Sequence, residues 1–419
     1  MDRAKPFDIP KSEVWGAYKS VRANKGAAGV DGQSIAEFEA DLEDNLYKLW
    51  NRLSSGSYFP PPVKRVEIPK GDGRTRPLGI PTVADRVAQM VVKRYLEPLL
   101  EPHFHNDSYG YRPGRSALEA VGMARERCWR HDFVLELDIK SFFEEIDWDL
   151  LLRAVRTHTD CKWVLLYIER WLKAPAQEAD GNLIERQKGT PQGGVISPLL
   201  ANLFLHYAFD MWMQRTHPLI PFERYADDAI CHCANEGQAQ RLREELEQRF
   251  ADCGLTLHPE KTRIVYCKDD DRGGNYPNQS FDFLGYTFRP RRSRGRDGKP
   301  CVSFNPAASH KALKRIRQTL RAMALQRRSD MSVEELAQKL NPSLRGWINY
   351  FGRYHRSALY PTLRYVNAKL AWWAARKFKT LARRRGRARQ WLAALSCRQP
   401  SLLAHWRLRD AYGWTMGAV

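Results

Sequence analysis

The sequence predicts an α+β fold in which a mixed body of helices and strands is followed by an all-helical, basic region. Up to about residue 290, short runs of alternating hydrophobicity typical of strands lie between segments of helical periodicity, and beyond that point the periodicity is helical. Residues 289–419 hold 30 Lys and Arg against 5 Asp and Glu, a net charge of +25. The preceding 288 residues hold 38 against 43, a net charge of −5. Periodicity and charge therefore change at the same point, which indicates two differently built regions.

The composition is that of a folded chain with more than one domain. Of 419 residues, 43% are hydrophobic and 11% are aromatic, enough for two or three cores. The N-terminal residues are mixed and polar, and no run of 18 apolar residues occurs, so we expect neither a signal peptide nor a membrane partner. The eight cysteines are scattered without a CxxC pair, which favours a reducing, cytoplasmic location.

Helices are predicted first along the chain. Residues 11–55 read as helices broken by the glycine-rich turn GAAGVDG, and Ser34 with Glu37 forms a capping box that begins the second helix. The stretch VKRVEIP is predicted as a strand, and KGDGRTRPLGIP as a hairpin turn with a returning strand. Residues 83–101 are predicted as a helix.

The strands of the body come next. HDFVLELDIKSFFEEID reads as a strand leading into a helix, and CHCANEGQAQRLREELEQRFADCG as a strand followed by an amphipathic helix that ends at Gly254. LTLHPEKTRIVYC and QSFDFLGYTFRP read as further short strands. The segment RPRRSRGRDGKP is predicted as a basic loop, with helices from there to the end of the chain.

The basic region favours contact with a polyanion. It contains six of the 13 tryptophans, and a basic surface with interleaved aromatic rings suits a nucleic acid whose bases can stack. The alternative is a solvated helical face without a partner. A net charge of +25 over this length favours nucleic-acid binding.

Three aspartates form the strongest candidate for a chemical site. Asp138 follows an alternating apolar strand, while Asp227 and Asp228 occupy RYADDAICHC, which reads as a second strand. Neighbouring strands would bring these carboxylates within a few ångströms, an arrangement that is costly unless cations neutralise it. Mg²⁺ suits carboxylates combined with substrate phosphates, and two such ions about 4 Å apart support phosphoryl transfer. The alternative is a strand-end turn stabilised by Asx hydrogen bonds.

A series of ordered motifs makes the sequence resemble a known family. VEIPKGDGRTRPLGIPTVADRVAQ, YGYRPGRSALEAV, LELDIKSFFEEID, KGTPQGGVISPLLANLFL, RYADDAI, LTLHPEKTRIV and FDFLGYTF occur in this order. They resemble successive blocks of the group II intron-encoded reverse transcriptases. Downstream, LNPSLRGWINYFGRY resembles the maturase, or domain X, thumb motif of the same family. The resemblance covers about residues 15–380.

The resemblance implies a right-hand polymerase architecture with four parts. An N-terminal helical extension over residues 1–62 would precede fingers and palm with an antiparallel sheet over residues 63–290. An all-helical basic thumb or maturase domain would follow over residues 291–380, and a basic nucleic-acid-binding tail over residues 381–419. No paired-cysteine or HNH-type signature follows the thumb motif, so we expect this chain to lack the family's C-terminal endonuclease domain.

The family's catalytic carboxylates match Asp138, Asp227 and Asp228. The resemblance assigns Asp138 and Asp227 to both metal ions, with the carbonyl of Ile139 as an additional ligand. Asp228 would tune the site or bind metal less directly. The implied cofactor is a pair of Mg²⁺ ions, for which Mn²⁺ could substitute.

Five further residues match the family's dNTP-binding positions. Lys70 and Arg76 flank the GDG turn and would close over the triphosphate. Phe143 matches the steric gate that excludes a 2′-OH, with an ordinary core aromatic as the alternative. Gln192 would line the nucleotide pocket. Lys261 would lie near the leaving pyrophosphate, as a general acid or as a charge alone.

Other matches concern the primer, the template or intron RNA. The backbone of FDFLGYTF would hold the primer end, although its apolar residues can equally be core. The residues carried over as primer, template or RNA contacts are Phe283, Leu284, Gly285, Tyr286, Arg345, Trp347, Arg383, Arg384 and Arg385.

The resemblance implies an RNA-directed DNA polymerase that also binds its parent group II intron RNA to promote splicing and mobility by target-primed reverse transcription. The implied partners are intron RNA, an RNA template, a DNA primer or target, and dNTPs, with a bacterial-type cytoplasm and nucleoid association through nucleic acid. A homodimer stays open. The alternatives are a stand-alone or CRISPR-associated host reverse transcriptase without an intron, and a splicing cofactor with an idle polymerase site.

Two other patterns are weaker candidates. His103 and His105 have metal-like spacing but no obvious Cys or His partners in the sequence. Cys231 and Cys233 are expected to pack on one face of their strand. No GxxxxGK[ST] loop occurs, so ATP hydrolysis is not expected.

Overall fold

The computed structural model describes residues 5–70, 74–294, 298–382 and 384–408. Its helices up to residue 252 are α1 Lys11–Asn24, α2 Ile35–Ala40, α3 Leu42–Ser54, α4 Val83–Leu100, α5 Ala117–Cys128, α6 Phe142–Glu145, α7 Trp148–Arg156, α8 Lys162–Lys173, α9 Ser197–Leu205, α10 Met211–Thr216 and α11 Glu236–Asp252. The later helices are α12 His310–Ala322, α13 Val333–Phe351, α14 Tyr360–Lys377 and α15 Arg385–Arg398. No helix among the described residues is long and apolar enough to cross a membrane.

The strands form three sheets. The strands are β1 Val63–Lys70, β2 Arg74–Ile80, β3 Phe133–Leu137, β4 Ala176–Gln177, β5 Leu183–Ile184, β6 Phe222–Tyr225, β7 Asp228–Cys233, β8 Arg263–Tyr266, β9 Phe281–Phe283, β10 Tyr286–Arg294 and β11 Pro300–Ala308. Their orders are β2-β1-β4-β5, β6-β7-β3-β8 and β11-β10-β9. The first sheet holds the predicted hairpin, the second the predicted carboxylates, and the third lies ahead of the C-terminal helices.

The chain divides into two compact units. One contains residues 1–120 and 135–264, and the other contains residues 121–134 and 265–419. This division differs from the four parts that the family motifs predict, and those four parts stay a prediction.

The first unit is built on buried helices and on strand β3. α4 presents apolar residues on most of its surface, since Val83, Val87, Val91 and Leu96 are all buried. The first half of α4 is thus buried on nearly all sides, and its polar residues Asp85, Arg86 and Gln89 are buried with it. In the part of β3 that belongs to this unit, Leu135 and Leu137 are likewise buried, so the strand end that leads to Asp138 lies in the core.

The second unit has its own apolar core, formed mainly by α12 to α15. Leu336, Leu340 and Leu344 on α13 and Leu370 and Trp373 on α14 are all buried in this one cluster. Hydrophobic residues spaced at three and four positions give each helix one buried stripe. Basic residues are left to the exposed sides, which gives a helical region with a charged surface.

Most predicted elements are confirmed. The capping box is present, with Ser34 accepting from the Glu37 N–H and Glu37 accepting from the Ser34 N–H. β1 and β2 pair antiparallel as the predicted hairpin. α11 ends as expected before Gly254, which has φ +73°.

The start of the helical region was predicted too early. The segment RPRRSRGRDGKP was predicted as a loop with helices directly after it, but residues 289–294 belong to β10 and β11 begins at Pro300. The two strands pair along nine residues. Pro300 and Pro306 lie within β11, and proline is rare inside paired strands. The prolines therefore concealed a strand whose Phe304 is completely buried. The helices begin at His310.

Candidate active site

Asp138 emerges at the end of strand β3. The backbone on each side of it is tied down, because His258 donates its N–H to the Asp138 carbonyl at 2.7 Å and Lys140 donates its N–H to the Thr256 carbonyl at 2.9 Å. Ile139 forms an antiparallel bridge with Leu257, and its side chain is buried. The backbone therefore holds the carboxylate at the position predicted for it, while metal binding by the Ile139 carbonyl stays a prediction.

Asp227 and Asp228 do not lie inside one continuous strand, as the sequence suggested. Tyr225 pairs with Asp228 across β6 and β7, which leaves Ala226 and Asp227 as a two-residue hairpin loop. Ala226 has φ +57°. Two-residue hairpins use positive φ, usually with Gly or Asn, so an alanine there concealed the turn.

The conformation of Ala226 is costly for a non-glycine residue. The left-handed region costs an L-residue about 1–2 kcal/mol because Cβ crowds the neighbouring carbonyl. Such a residue persists only where the surrounding structure enforces it, and this occurs often at functional sites. The turn that carries Asp227 is therefore held by its surroundings.

The carboxylates lie close enough to affect each other's protonation. Burial, and then the charge of Asp138, raises the pKa of Asp227, although a backbone N–H bond, Arg224 and Lys261 act against this. Desolvation by the surrounding protein, followed by the charges of Asp227, Asp138 and Glu136, raises the pKa of Asp228 to about 7. The Asp228 side chain still has an exposed face, so solvent and a cation can reach it. The structure thus brings the predicted acids into one electrostatic cluster.

Lys261 neutralises one member of this cluster. Its Nζ lies 2.8 Å from Oδ2 of Asp138, and the two side chains are 49% and 30% exposed. The lysine precedes β8 and is held near β3 by the backbone bonds of the HPEKT segment. The structure therefore places Lys261 beside the acids, as predicted, while its contact with pyrophosphate stays a prediction.

The donor set fits divalent cations bound together with a substrate. Raised pKa values of Asp227 and Asp228 indicate negative charge that a cation would offset. No cluster of three or more His, Cys, Asp or Glu among the described residues is arranged to hold a metal ion by itself. Mg²⁺ at phosphoryl-transfer sites uses one or two carboxylates, waters and substrate phosphates, so these residues suit it without a complete protein cage.

Two of the predicted dNTP-binding residues lie on the β1–β2 hairpin. Arg76 is exposed on β2 and close enough to Tyr111 to act on its pKa. The side chain of Lys70 lies outside the described residues. Residues 185–196, between β5 and α9, form the Gln192 loop. The hairpin is joined to this loop, because the Gly79 N–H donates to the Gln192 carbonyl at 2.7 Å.

Glycines allow this close approach of two backbones. A Cβ on Gly79 would lie 2.6 Å from a methyl of Val63, and one on Gly193 would lie 2.5 Å from the Gly79 carbonyl. Gly193 also has φ +113°. The glycine turn after Gln192 thus packs directly against β2.

Phe143 is half-buried, in contrast to its neighbour Phe142, which is 2% exposed. The two rings meet edge to face with centroids 5.4 Å apart. The Phe143 carbonyl accepts the Thr190 N–H at 2.7 Å, which ties this residue to the Gln192 loop. Phe143 thus lies at the edge of the core, and its role as the steric gate stays a prediction.

A cavity of about 470 Å³ lies beside these elements. It is lined by Pro77, Leu78 and Gly79 of β2, by Thr190, Pro191 and Gln192, and by charged residues that include Glu144 and Arg186. Its walls combine backbone, apolar and cationic groups, as small-ligand sites do. The structure thus assembles β2 and the Gln192 loop around one space.

A buried network under the Gln192 loop was missed from the sequence. The Asp85 carboxylate accepts from Tyr58 at 2.7 Å, from Trp171 at 2.7 Å and from Gln89 at 2.9 Å. Gln89 in turn accepts the N–H groups of Val195 and Ile196 at 2.7 and 3.3 Å. Asp85 and Gln89, one helical turn apart among the apolar residues at the start of α4, were the available signal.

Tyr111 is a second residue that sequence analysis did not select. It has φ +55°, and its ring centroid lies 6.4 Å from that of Tyr225. Desolvation, followed by the charge of Asp227, raises its pKa. Its side chain is nevertheless 52% exposed. A tyrosine in a rare backbone conformation beside the acids belongs to this site.

The predicted primer block forms a tight hairpin between β9 and β10. Phe283 pairs with Tyr286, and the loop residues Leu284 and Gly285 have φ +50° and +79°. The side chains of Phe283 and Tyr286 are buried, and Tyr350 donates to the Leu284 carbonyl at 2.8 Å. Any contact with a primer would therefore use the backbone of the turn, as the resemblance implies.

The remaining predicted RNA contacts lie on the helices of the second unit. Arg345, Arg384 and Arg385 are exposed, whereas Trp347 packs against the helical core. Arg383 lies outside the described residues. The Arg385 guanidinium lies 5.3 Å from the ring centroid of Trp372, which is 39% exposed. These assignments stay predictions.

An acidic cluster at a strand end and a hairpin, with a lysine beside it, is the arrangement expected of a nucleotidyl-transferase site. Comparison with known proteins agrees. Residues 68–288 match the family described as reverse transcriptase (RNA-dependent DNA polymerase), and residues 313–391 match the group II intron maturase-specific domain. The chain belongs to the reverse transcriptase family, and its enzyme class is RNA-directed DNA polymerase.

Individual relatives support this assignment. The chain is 32% identical to protein YkfC of Escherichia coli K12, over 65% of this chain and 79% of that protein. It is 36% identical to the group II intron-encoded protein LtrA of Lactococcus lactis, over 45% of this chain and 32% of LtrA. It is 28% identical to the putative COX1/OXI3 intron 1 protein of Saccharomyces cerevisiae, over 59% of this chain and 36% of that protein. The match thus spans about a third of the length of these two intron proteins.

Proposed function

We propose that this protein synthesises DNA on an RNA template, with Asp138 and Asp227 as the catalytic carboxylates. The single observation that supports this most directly is the electrostatic cluster of Asp138, Asp227 and Asp228 beside the cationic Lys261. When bound there, two Mg²⁺ ions would supply charge neutralisation for the attacking and leaving oxygens. Asp138, Asp227, Asp228 and Lys261 would act together as one site.

The protein's own residues would select and orient the nucleotide. Arg76 would contact the triphosphate by forked hydrogen bonds, and Gln192 would line the pocket. Phe143 would stand below the sugar and disfavour a 2′-OH. Lys261, already beside Asp138, would turn its ammonium toward the charge that develops on the leaving pyrophosphate.

We further propose that the protein binds a group II intron RNA and promotes its splicing and mobility. The match of residues 313–391 to the maturase-specific domain and the basic charge of the C-terminal region support this. Exposed Arg345, Arg384 and Arg385 would contact phosphates, so the affinity should fall steeply with salt. Such a protein would work in the cytoplasm with its nucleic acid.

Primer extension on an RNA template tests the polymerase proposal. The wild-type protein with a DNA primer, dNTPs and Mg²⁺ should extend the primer, and the Asp227→Asn variant should lose nearly all of this activity. Asp149→Asn, an exposed residue at the start of α7, is the matched control and should extend like the wild type. Equal extension by the wild type and Asp227→Asn would overturn the proposal.

Splicing is tested separately with the same variant. Asp227→Asn should still bind intron RNA and support its splicing, because the proposed RNA contacts lie outside the acidic cluster. Loss of splicing by a correctly folded Asp227→Asn protein would contradict this separation of functions. Wild-type polymerase activity without binding to any intron RNA would instead favour a host reverse transcriptase.

A further inference from the structure

Arg224 is a charged residue that the structure buries almost completely, at 1% exposure. Its guanidinium forms a forked ion pair with Asp210, with Nε to Oδ1 at 2.7 Å and Nη2 to Oδ2 at 2.5 Å. Asp210 is completely buried. A buried ion pair adds little to stability compared with apolar residues of similar size, because both charges lose their water. Its presence beside the acidic cluster therefore suggests another role.

The remaining Arg224 donor, Nη1, is directed to the loop of the β6–β7 hairpin, which carries Asp227. It donates to the Ala226 carbonyl at 3.0 Å and to Oδ1 of Asn202 at 3.0 Å. The Ala226 carbonyl belongs to the peptide unit that joins Ala226 to Asp227. Arg224 therefore holds the peptide plane that precedes a catalytic carboxylate, at a residue whose φ of +57° needs external support.

Tyr109 and Gly110, which precede Tyr111, contact the other side of the Ala226–Asp227 turn. Asn202 donates its Nδ2 to the Gly110 carbonyl at 2.6 Å, and Tyr109 donates its N–H to the Arg224 carbonyl at 2.8 Å. A Cβ on Gly110 would lie 2.4 Å from the Ala226 nitrogen. The turn is thus enclosed between the Arg224 network and this backbone, with no space to shift.

Asp210 is the last residue of an irregular helical turn. Residues His206–Asp210 form a π-helical turn between α9 and α10. Arg249 donates to the carbonyls of Tyr207 and Ala208 inside this turn, both at 3.0 Å. A π turn rotates the following residues relative to α-helical register, and such turns occur often at functional sites. Here the turn ends at the residue that binds Arg224.

We propose that Arg224 and Asp210 are positioning residues that fix the turn carrying Asp227 for catalysis. Arg224 reaches the turn directly through Ala226 and indirectly through Asn202 and Gly110, while Asp210 neutralises and orients it. This inference rests on the proposed polymerase function and goes beyond it by naming residues that touch neither substrate nor metal. A purely structural ion pair is the competing explanation, and it predicts a loss of stability without a specific loss of turnover.

Replacing both partners separates the two explanations. The double variant Arg224→Met/Asp210→Leu exchanges the pair for apolar side chains of similar size, which buried ion pairs often tolerate. We expect its thermal midpoint to stay near that of the wild type and its kcat to fall on the order of 100-fold, as for small misplacements of a catalytic group. The KM for primer–template should change by less than about threefold, since the nucleic-acid contacts remain.

A conservative variant tests the proposal even if the double variant does not fold. Arg224→Lys keeps the charge beside Asp210, but a single ammonium cannot reproduce the fork and the two further bonds. We expect a kcat between those of the wild type and the double variant. Hydrogen–deuterium exchange without metal or nucleotide provides a readout independent of activity. Amides of residues 225–229 should exchange faster in both variants, with unchanged exchange in α4.

The matched control is a second buried pair in the same hairpin. His232 Nε2 and Glu223 Oε2 lie 2.6 Å apart, both side chains are completely buried, and the bond joins β6 to β7. The variant Glu223→Gln should leave kcat and exchange at residues 225–229 near wild-type values.

The outcomes can be told apart. An inactive wild-type protein would overturn the proposed polymerase function, while faster exchange in the variants would still support the positioning role. With an active wild type, a folded double variant or Arg224→Lys with normal kcat and normal exchange would overturn the positioning role. An equal loss of kcat in Glu223→Gln would also overturn it, because any disturbance of the hairpin would then suffice.

Discussion

Lys261 Nζ lies 2.8 Å from the carboxylate of Asp138, so a cation of the protein already occupies one side of the acidic cluster. Both partners are partly exposed, and exposed ion pairs contribute about 0–1 kcal/mol to stability. The pair therefore does little for folding. Its value would lie in keeping an ammonium group where the reaction develops negative charge.

Lys261→Met should accordingly reduce turnover much more than stability. We expect kcat for primer extension to fall on the order of 100-fold, within the range for loss of a positioned proton donor or charge. The free energy of unfolding should change by less than about 1 kcal/mol. Rapid-quench primer extension and urea unfolding measure the two quantities.

Lys261→Arg is the companion to this variant. A guanidinium keeps the charge but does not give up its proton, so only part of the activity should return if Lys261 acts as an acid. Full recovery would assign the residue to charge alone. Normal turnover in Lys261→Met would show that the ion pair has no part in the reaction.

The pKa of Asp228, raised to about 7, predicts how stability depends on pH without metal. In the unfolded chain this carboxyl has its ordinary pKa near 3.8, so the folded state holds its proton over a wider pH range. Above pH 7 both states are ionised and the folded state bears the repulsion. Below pH 4 both are protonated and the repulsion is absent. The destabilisation by Asp228 is thus largest above pH 7 and disappears as the pH falls toward 4.

Asp228→Asn should therefore be more stable than the wild type at pH 8 in EDTA, and the difference should shrink toward pH 5. Thermal unfolding at several pH values measures this, with Asp149→Asn as the exposed control. Saturating Mg²⁺ should also reduce the difference at pH 8, because a cation offsets the same repulsion. A difference that is independent of pH would show that Asp228 does not titrate as a member of the cluster.

The turn of Asp227 shows how far the sequence could predict the site. The three acids were identified because their motifs occur in a family order, and the structure brings them together. The hairpin itself was missed, because Ala226 carries none of the Gly, Asn or Asp signals of a two-residue turn. Its conformation is enforced by Arg224, Asn202 and Gly110, which come from separate parts of the chain. Local patterns cannot report such tertiary constraints.

The same dependence on tertiary contacts explains the other differences between the predicted and the observed elements. β11 is stable because β10 pairs with it, despite two prolines that its own sequence places there. Elements with strong local signals, such as the Ser34 capping box and helix α4, were predicted correctly. The ion pair between Lys261 and Asp138 also depends on the tertiary fold, since the two residues are 123 positions apart in the chain.

Adjacent phenylalanines provide a matched test of sugar selection. Phe143 is half-buried, whereas Phe142 belongs to the core. Phe143→Ala should reduce the preference for dNTPs over NTPs by about 10- to 100-fold, comparable to removing one steric contact in a binding pocket. Phe142→Leu should lower stability by about 1–1.5 kcal/mol and leave the preference unchanged. Single-nucleotide incorporation kinetics with dNTPs and NTPs would measure both variants, and equal selectivity in Phe143→Ala would contradict the gate assignment.

Asp85 and Gln89 should affect nucleotide binding from beneath the loop. Gln89→Met leaves the N–H groups of Val195 and Ile196 unpaired, at a cost of about 1–3 kcal/mol for each buried group. We expect lower stability together with a several-fold higher KM for dNTPs, because the loop of Gln192 loses its support. Asp85→Asn replaces one acceptor oxygen with an NH2 group that would oppose a donor, and it should have a similar effect.

Tyr58→Phe distinguishes support of the loop from general destabilisation. It removes one donor to Asp85 but leaves the bond between Asp85 and Gln89, so the protein should lose about 1 kcal/mol with an unchanged KM for dNTPs. Urea unfolding and steady-state kinetics on a fixed primer–template measure the two effects. If Tyr58→Phe raises KM in proportion to its smaller loss of stability, the effect comes from weakening of the fold. If only Gln89→Met and Asp85→Asn raise it, hydrogen bonds that run from α4 to the Gln192 loop hold the nucleotide pocket in place.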